Sequence, residues 1–267
     1  MNSDCSDHVV LVTGGSSGLG RAIAVESARR GAKAVIVNYS RSEADAQETA
    51  EAVRGEGATP VVVKADVSND AECQALVRAA SRFGRIDALY NNAGTTKFAV
   101  NQGALDALSG EDFLHVYHVN VVGAFQMVRA ARSLLEAAPS PGAVVNTSSL
   151  AGATGLGSSI AYAASKGALN TLTLSLARVL APKVRVNAIC PGYIDTRWFR
   201  RAMSDAEYEV LRRSVMTSTA LKTVSTAEDI AASAVFLGSR SSRHMTGELL
   251  TVDAGLHLGV TPVKTSE

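Results

Sequence analysis

Short β-branched runs alternate with longer stretches of helical periodicity from one end of this chain to the other. The strand candidates are Val9–Thr13, Ala34–Asn38, Pro60–Lys64, Ala88–Asn91, Ala143–Thr147, Val184–Ile189 and Leu249–Val252. None alternates strictly between apolar and polar positions, which is the pattern of strands in a parallel sheet covered on both faces. Helices are predicted over Leu19–Arg30, Ser42–Glu56, Asp70–Phe83, Glu111–Ala138 and Ala161–Leu180. Gly31, Gly57 and Gly84 follow three of them, where a left-handed residue ends a helix most easily.

This rhythm predicts an α/β fold: a Rossmann-type, doubly wound parallel sheet with right-handed crossovers and helices on both faces. With no internal repeat or Pro/Ser linker to divide the chain, residues 1–267 read as one domain, with a core over about 9–255. Residues 196–226 break the rhythm. They carry Trp198, Phe199 and several arginines without a clear strand, and read as a helical insertion between the last two strands; the final residues read as a loose tail.

Composition narrows the class. Apolar residues at 46% and charged residues at 19% supply a buried core and argue against disorder. The formal charge of +1 offers no general grip on nucleic acid or an anionic membrane. No window is apolar enough to span a bilayer, and the first residues lack the basic and apolar regions of a secretory signal. Cys5, Cys73 and Cys190 are widely spaced and odd in number, which suits reduced thiols and a cytoplasmic protein better than disulfides. His115 and His118 share a helix face, but two ligands without a third do not make a metal site, and no metal is expected.

Chemistry enters at the turn after the first strand, Thr13-Gly14-Gly15-Ser16-Ser17-Gly18-Leu19-Gly20. Glycines there let the backbone approach a pyrophosphate, whose charge meets the N–H groups of a helix N-terminus. The spacing of Gly14, Gly18 and Gly20 differs from the general dinucleotide fingerprint, and no Lys-Ser/Thr pair follows as in a P-loop. The choice of nucleotide rests on the end of the second strand, Asn38-Tyr39-Ser40-Arg41-Ser42, where the first carboxylate is Glu43. Without an acid to bond the ribose hydroxyls, and with Arg41 and neighbouring hydroxyls available to a 2′-phosphate, the reading favours NADP and leaves NAD open. Arg41 as a solvated turn residue is the competing reading.

Tyr162 and Lys166 are four apart on one helix, so both heads reach one region of space, and a nearby ammonium is expected to lower the phenol's pKa. Alone, such a pair has many surface counterparts. Ser149, thirteen residues before Tyr162, ends a strand on the rim where parallel-sheet proteins bind ligands.

Taken together, the glycine-rich turn, Asn91-Asn92-Ala93-Gly94, Asn120, Ser149, Tyr162-Ala-Ala-Ser-Lys166 and Pro191-Gly192 resemble the classical short-chain dehydrogenase/reductases in type, order and separation. The resemblance runs from about Val9 to Gly255, and is nearest to carbonyl reductases of the 3-oxoacyl-carrier-protein reductase type. It implies hydride transfer between a nicotinamide cofactor and a carbonyl or secondary alcohol. In it, Tyr162 is the acid/base and Ser149 bonds the substrate oxygen. Lys166 bonds the nicotinamide ribose and tunes Tyr162, and Asn120 holds a water of a proton relay. The resemblance further implies that Ser16, Ser17 and Leu19 line the cofactor with the glycines, and that Asp66 and Val67 meet the adenine. Asn92, Ala93 and Gly94 would follow, and Pro191, Gly192, Ile194 and Thr196 would hold the carboxamide. Ser17 departs from the pattern, because members preferring NADP often carry a basic residue there.

A homotetramer or homodimer built on the helices Glu111–Ala138 and Ala161–Leu180 is also implied. The substrate pocket is expected to draw on Thr96, Ala151–Thr154, Tyr193 and Trp198–Met203. The competing reading is a catalytically silent NAD(P)-binding regulatory or assembly subunit, which would have no use for an acid/base tyrosine.

Overall fold

The computed structural model describes residues 4–99, 101–200 and 203–259, so the C-terminal tail, and Arg201 and Ala202 of the expected pocket segment, lie outside the described residues. Seven strands, β1 (Val9–Val12), β2 (Ala34–Tyr39), β3 (Thr59–Lys64), β4 (Ala88–Asn91), β5 (Gly142–Thr147), β6 (Val184–Pro191) and β7 (Leu249–Val252), form one sheet. Its order is β3-β2-β1-β4-β5-β6-β7, and every pairing is parallel. The helices are α1 (Gly18–Arg29), α2 (Glu43–Gly55), α3 (Asp70–Ala80), α4 (Gly110–Tyr117), α5 (Gly123–Glu136), α6 (Ala151–Thr154), α7 (Ile160–Leu180), α8 (Arg197–Arg200), α9 (Asp205–Ser218) and α10 (Ala227–Gly238).

Both faces are apolar, which explains the near-continuous strand runs. Val10 and Val12 of β1 pack with Ile23 of α1, Val53 of α2 and Ile230 of α10. Val9 and Leu11 point the other way, to a layer with Leu76 of α3, Met127 of α5 and Leu176 of α7. Cys5, Cys73 and Cys190 are buried in this structure as free thiols. Burial pushes the Cys5 and Cys73 thiols up to about 12, so they pack as apolar groups. Among the described residues, no helix is long and apolar enough to cross a membrane.

Three helical expectations need correction. The helix predicted over Glu111–Ala138 is two helices joined by a π-helical turn at His118–Val122. One extra residue per turn shifts side chains around the axis, a change that hydrophobic periodicity does not register. The helix predicted to Phe83 ends at Ala80 and tightens into a 3₁₀ turn over Ser81–Phe83 before Gly84. The region after residue 196 holds α8 and α9 as expected, but α10 was not anticipated. Gly31, Gly57 and Gly84 all take positive φ at helix ends.

Winding runs outward from β1 to β3 on one side and from β4 to β7 on the other, so the chain reverses between β1 and β4. In such sheets the ligand crevice opens beyond the carboxyl ends of the strands at that reversal.

Candidate active site

The glycine turn leaves β1 at this reversal. Thr13 anchors it: its Oγ1 accepts the backbone N–H groups of Asn92 and Ala93, both at 3.0 Å. Asn92 returns the contact, its amide donating to the Thr13 and Gly14 carbonyls at 3.2 Å. Gly14 has φ +61°, the left-handed region that side chains resist, and a Cβ on Gly20 would collide with the Gly14 carbonyl and the Asn92 amide. Ser17 precedes α1 in an extended conformation yet gives it no side-chain cap, whereas Ser42, Asn69, Ser109, Ser159, Ser204 and Thr226 cap α2, α3, α4, α7, α9 and α10. The N–H groups of Gly18, Leu19 and Gly20 thus open a helix without protein acceptors of that kind, and this cradle fits a pyrophosphate. Across it stands Thr196, whose methyl carbon would lie 3.9 Å from a Cβ on Gly18, and whose Oγ1 accepts the Trp198 N–H at 3.3 Å.

Asn38 behaves differently from expectation. It is 2% exposed, and its Oδ1 accepts the Gly14 N–H at 3.1 Å. Its Nδ2 donates to the carbonyls of Ala65 at 2.9 Å, Tyr39 at 3.2 Å and Val63 at 3.3 Å. With the amide engaged by backbone, Asn38 shapes the glycine turn instead of facing a ribose. Tyr39 is buried, while Ser40 and Arg41 are exposed at the end of β2. Among the described residues Arg41 enters no ion pair, although its charge helps to lower Asp66.

Asp66 follows β3. Its Oδ1 accepts both the N–H and the hydroxyl of Ser68, at 2.9 and 2.7 Å. Partial burial works to raise this carboxyl, but the Ser68 bonds and the nearby Arg41 and His115 bring it below its ordinary value. The cap of α3 is Asn69, so Asp66 is not spent on capping that helix. Val67 is pinned by Gln126, whose amide donates to its carbonyl at 2.8 Å, and Gly123 gives it room, since a Cβ there would sit 2.9 Å from the valine side chain. His118 closes this corner with Nε2 3.0 Å from the Ser68 carbonyl oxygen.

The catalytic candidates meet beyond β5. Lys166 is 3% exposed, and its Nζ donates to the Thr147 carbonyl at 2.7 Å. The ammonium lies 5.5 Å from the centre of the Tyr162 ring. Gly94 faces the same point, where a Cβ would stand 3.7 Å from Nζ and 3.4 Å from Asn120 Oδ1. Burial lowers Lys166 to about 8, leaving it mostly charged at neutral pH. Tyr162 is raised to about 12 by burial, with the neighbouring Ser149 hydroxyl working in the opposite direction. This reverses the expected lowering of the phenol. The reason is geometric: Lys166 points at a backbone carbonyl and flanks the face of the ring, so its charge does not offset the loss of water around the phenol.

Ser149 accepts the Ala151 N–H at 3.1 Å through its Oγ. Beside it, Ser148 is tied to Asn170 Oδ1 at 2.6 Å and to the Lys166 carbonyl at 3.2 Å, which locks the end of β5 onto α7. Asn120 sits in the π-helical turn. Its Oδ1 accepts the Thr95 N–H at 2.8 Å, and its Nδ2 donates to the Thr95 carbonyl at 3.0 Å and to Ser165 Oγ at 2.9 Å. Its side chain therefore clamps the loop after β4 onto α7, leaving one lone pair on Oδ1. Ser165 passes the contact on to the Tyr162 carbonyl at 2.7 Å.

Beyond β6, the Pro191 carbonyl accepts the Leu150 N–H at 2.8 Å, joining the serine loop to the segment that carries Gly192 and Ile194. Gly192 packs against Asp253, where a Cβ would come within 2.7 Å, and Ile194 forms an isolated parallel bridge with Ser225. Of the expected pocket residues, Thr96 is 2.7 Å from Ser158 Oγ, Trp198 lies 6.2 Å from the Tyr162 ring between centres, and the buried Tyr193 stacks on Phe199. Ala151–Thr154 forms α6. Three contributors escaped sequence reasoning: Thr13 as the turn's anchor, Ser165 as a link to Asn120, and Phe98, 6.3 Å from Trp198 between ring centres. Thr13 and Ser165 stand inside the glycine-turn and Tyr162–Lys166 motifs without a role of their own, and Phe98 is a lone aromatic in a loop.

Comparison with known proteins agrees with this geometry. A family model described as enoyl-(acyl carrier protein) reductase matches residues 14–257. A ketoacyl reductase of the granaticin polyketide synthase from Streptomyces violaceoruber is 39% identical, over 94% of this chain and 96% of its own. The 3-oxoacyl-[acyl-carrier-protein] reductase FabG of Staphylococcus aureus is 32% identical, over 93% and 97%. A crystal structure from Burkholderia xenovorans assigned to the short-chain dehydrogenase/reductases superposes with a TM-score of 0.87 at 41% identity, covering 95% of this chain and 99% of that one. With a seven-stranded parallel sheet, a glycine turn at its reversal and relatives of this kind over nearly its full length, the chain belongs to the short-chain dehydrogenase/reductase family and is an NAD(P)-dependent oxidoreductase acting on CH–OH or C=O groups.

Proposed function

We propose that this chain interconverts a ketone and a secondary alcohol with NADP(H), and that Tyr162 carries the proton. The observation behind this is the convergence of the Tyr162 phenol, the Ser149 hydroxyl and the Lys166 ammonium beside the glycine turn. When bound, the nicotinamide supplies or accepts the hydride. Ser149 and Tyr162 donate hydrogen bonds to the substrate oxygen, where negative charge grows during reduction. Burial keeps the phenol protonated at neutral pH, the form able to give that oxygen its proton. Lys166 keeps two N–H donors beyond the one held by Thr147, and one suits a ribose hydroxyl. A silent binding subunit would not need this group of side chains.

The preference for NADP rests on Arg41, exposed at the end of β2 with no carboxylate on that strand to repel a 2′-phosphate. Phe113, Leu114 and Tyr117 of α4, Phe125 of α5, and Leu174 and Val179 of α7 are exposed, and support a homodimer or homotetramer through these helices. Light scattering is expected to give a mass of two or four chains.

The deciding experiment is Tyr162→Phe with NADPH and a panel of ketones. Turnover should fall by at least about a hundredfold, the usual scale of a lost acid/base, with NADPH affinity within a factor of two or so. Parallel loss of cofactor affinity and rate would reject the role given to Tyr162.

A further inference from the structure

We propose that the substrate of this site is a ketone or alcohol carried on a planar fused ring, held against the aromatic wall that Trp198 and Phe98 form beside Tyr162; this rests on the reductase reading above. The chain is poor in aromatics, with six Phe, six Tyr and one Trp, yet Phe98, Tyr162, Tyr193, Trp198 and Phe199 gather at this one mouth. They arrive from separate segments: the loop after β4, the start of α7, the end of β6, and α8. Trp198 is the shared ring, 6.2 Å from Tyr162 and 6.3 Å from Phe98, tilted by 54° and 60°. Phe199 extends the wall, edge-on to Phe98 at 6.1 Å and stacked on Tyr193 at 5.0 Å. Apart from the Tyr193–Phe199 stack, the rings meet at tilts and not face to face, and Phe98, Trp198 and Phe199 all remain partly exposed. A flat ring can stack offset on one such face while meeting the edge of the next, an arrangement aromatic pairs prefer. A linear acyl chain gains nothing from it that aliphatic side chains would not provide. The Tyr162 ring also lies against Gly157, where a Cβ would come within 3.3 Å of it, which leaves that flank closed to an entering ring.

The single tryptophan makes this directly measurable. Titrating the protein with 1-tetralone or with 2-decanone, a linear ketone of equal carbon count, in the presence of NADP⁺ follows binding through Trp198 fluorescence without turnover. The fused-ring ketone should bind about tenfold tighter, the scale of one or two aromatic contacts. By calorimetry, Trp198→Ala and Phe98→Leu should each remove most of that preference, and Trp198→Phe should keep it. Equal affinities for the two ketones, or a preference that survives both Trp198→Ala and Phe98→Leu, would overturn the proposal. The two readings fail separately. A ring preference without NADPH consumption by 1-tetralone supports the aromatic grip and counts against the reductase reading. NADPH consumption with equal kcat/KM for both ketones does the reverse.

Discussion

Placing an acid at the end of β2 is the obvious way to turn such a protein towards NADH, and Asn38→Asp is the substitution that sequence alone suggests. The structure leads to a different result. The Asn38 amide donates to three backbone carbonyls, the nearest that of Ala65 at 2.9 Å, and its oxygen holds the Gly14 N–H. An introduced carboxylate keeps the Gly14 contact, strengthened by about 1 kcal/mol as a charge-assisted bond, but has no donor for the carbonyls. Leaving a buried carbonyl unpaired costs roughly 1–3 kcal/mol, and a buried carboxylate facing carbonyl oxygens adds a comparable penalty. The net loss should be about 3 kcal/mol at pH 8, or a fall in Tm of roughly 6–12 °C for a chain of this size. Its pH dependence has a definite sign. The introduced carboxyl is raised in the folded state above its unfolded value of about 3.9, so the variant is best relative to wild type below that pH. It loses stability as pH rises through the folded value, and protonation, which restores one donor, reverses the loss. Thermal unfolding of both proteins at pH 5 and pH 8, alongside kcat/KM for NADH and NADPH, tests this. A variant that matches wild-type stability at pH 8 while gaining activity with NADH would refute the reasoning, because the carboxylate would then have left its carbonyl neighbours for the ribose.

Cofactor affinity should weaken as pH rises through about 8, where the buried Lys166 ammonium loses its charge, and calorimetry on Lys166→Met should find that dependence gone. Arg41→Ala should weaken NADPH by roughly tenfold to a hundredfold, the worth of a charge-assisted bond of about 1.5–3 kcal/mol, and leave NADH nearly unchanged. Equal losses of kcat/KM with both cofactors would return Arg41 to the role of a solvated turn residue. Gly20→Ala should abolish cofactor binding in an equilibrium titration, since the new methyl would collide with the Gly14 carbonyl that shapes the turn.

The strands were legible from their apolar runs, continuous where β1, β2, β4, β5 and β6 are buried on both faces and still present in the half-buried edge strands β3 and β7. Hence β4 and β7 were found to the residue and the others within one or two. The helix α10 was not, because Ala227, Ile230, Ala231, Ala234, Val235 and Leu237 are all buried and blur the amphipathic stripe. Its capping box, Thr226 with Asp229, was the signal available. Ser149, Tyr162 and Lys166 came from their order and spacing along the chain, which local pattern preserves. The partners of Asn38 and Asn120 did not, because they come from the glycine turn, from β3 and the residue after it, from the loop after β4 and from Ser165 of α7, brought close only by the fold. The direction of the Tyr162 shift depended likewise on where Lys166 points, and spacing on a helix says nothing of that.

With a dinucleotide bound as proposed, the uncapped start of α1 would tie the durability of the fold to the supply of its cofactor. Every other long helix that begins from an extended residue closes its first turn with its own serine, threonine or asparagine. At Ser17 the chain supplies no such cap, a place that the phosphates of a dinucleotide bound as proposed would take. Whatever binds only the folded chain stabilises it by mass action, by about 2.7 kcal/mol at a hundred times its dissociation constant. The unfolding temperature thus becomes a gauge of free dinucleotide. When the nucleotide pool is depleted, the first element to open should be the one that follows β1, at the centre of the sheet.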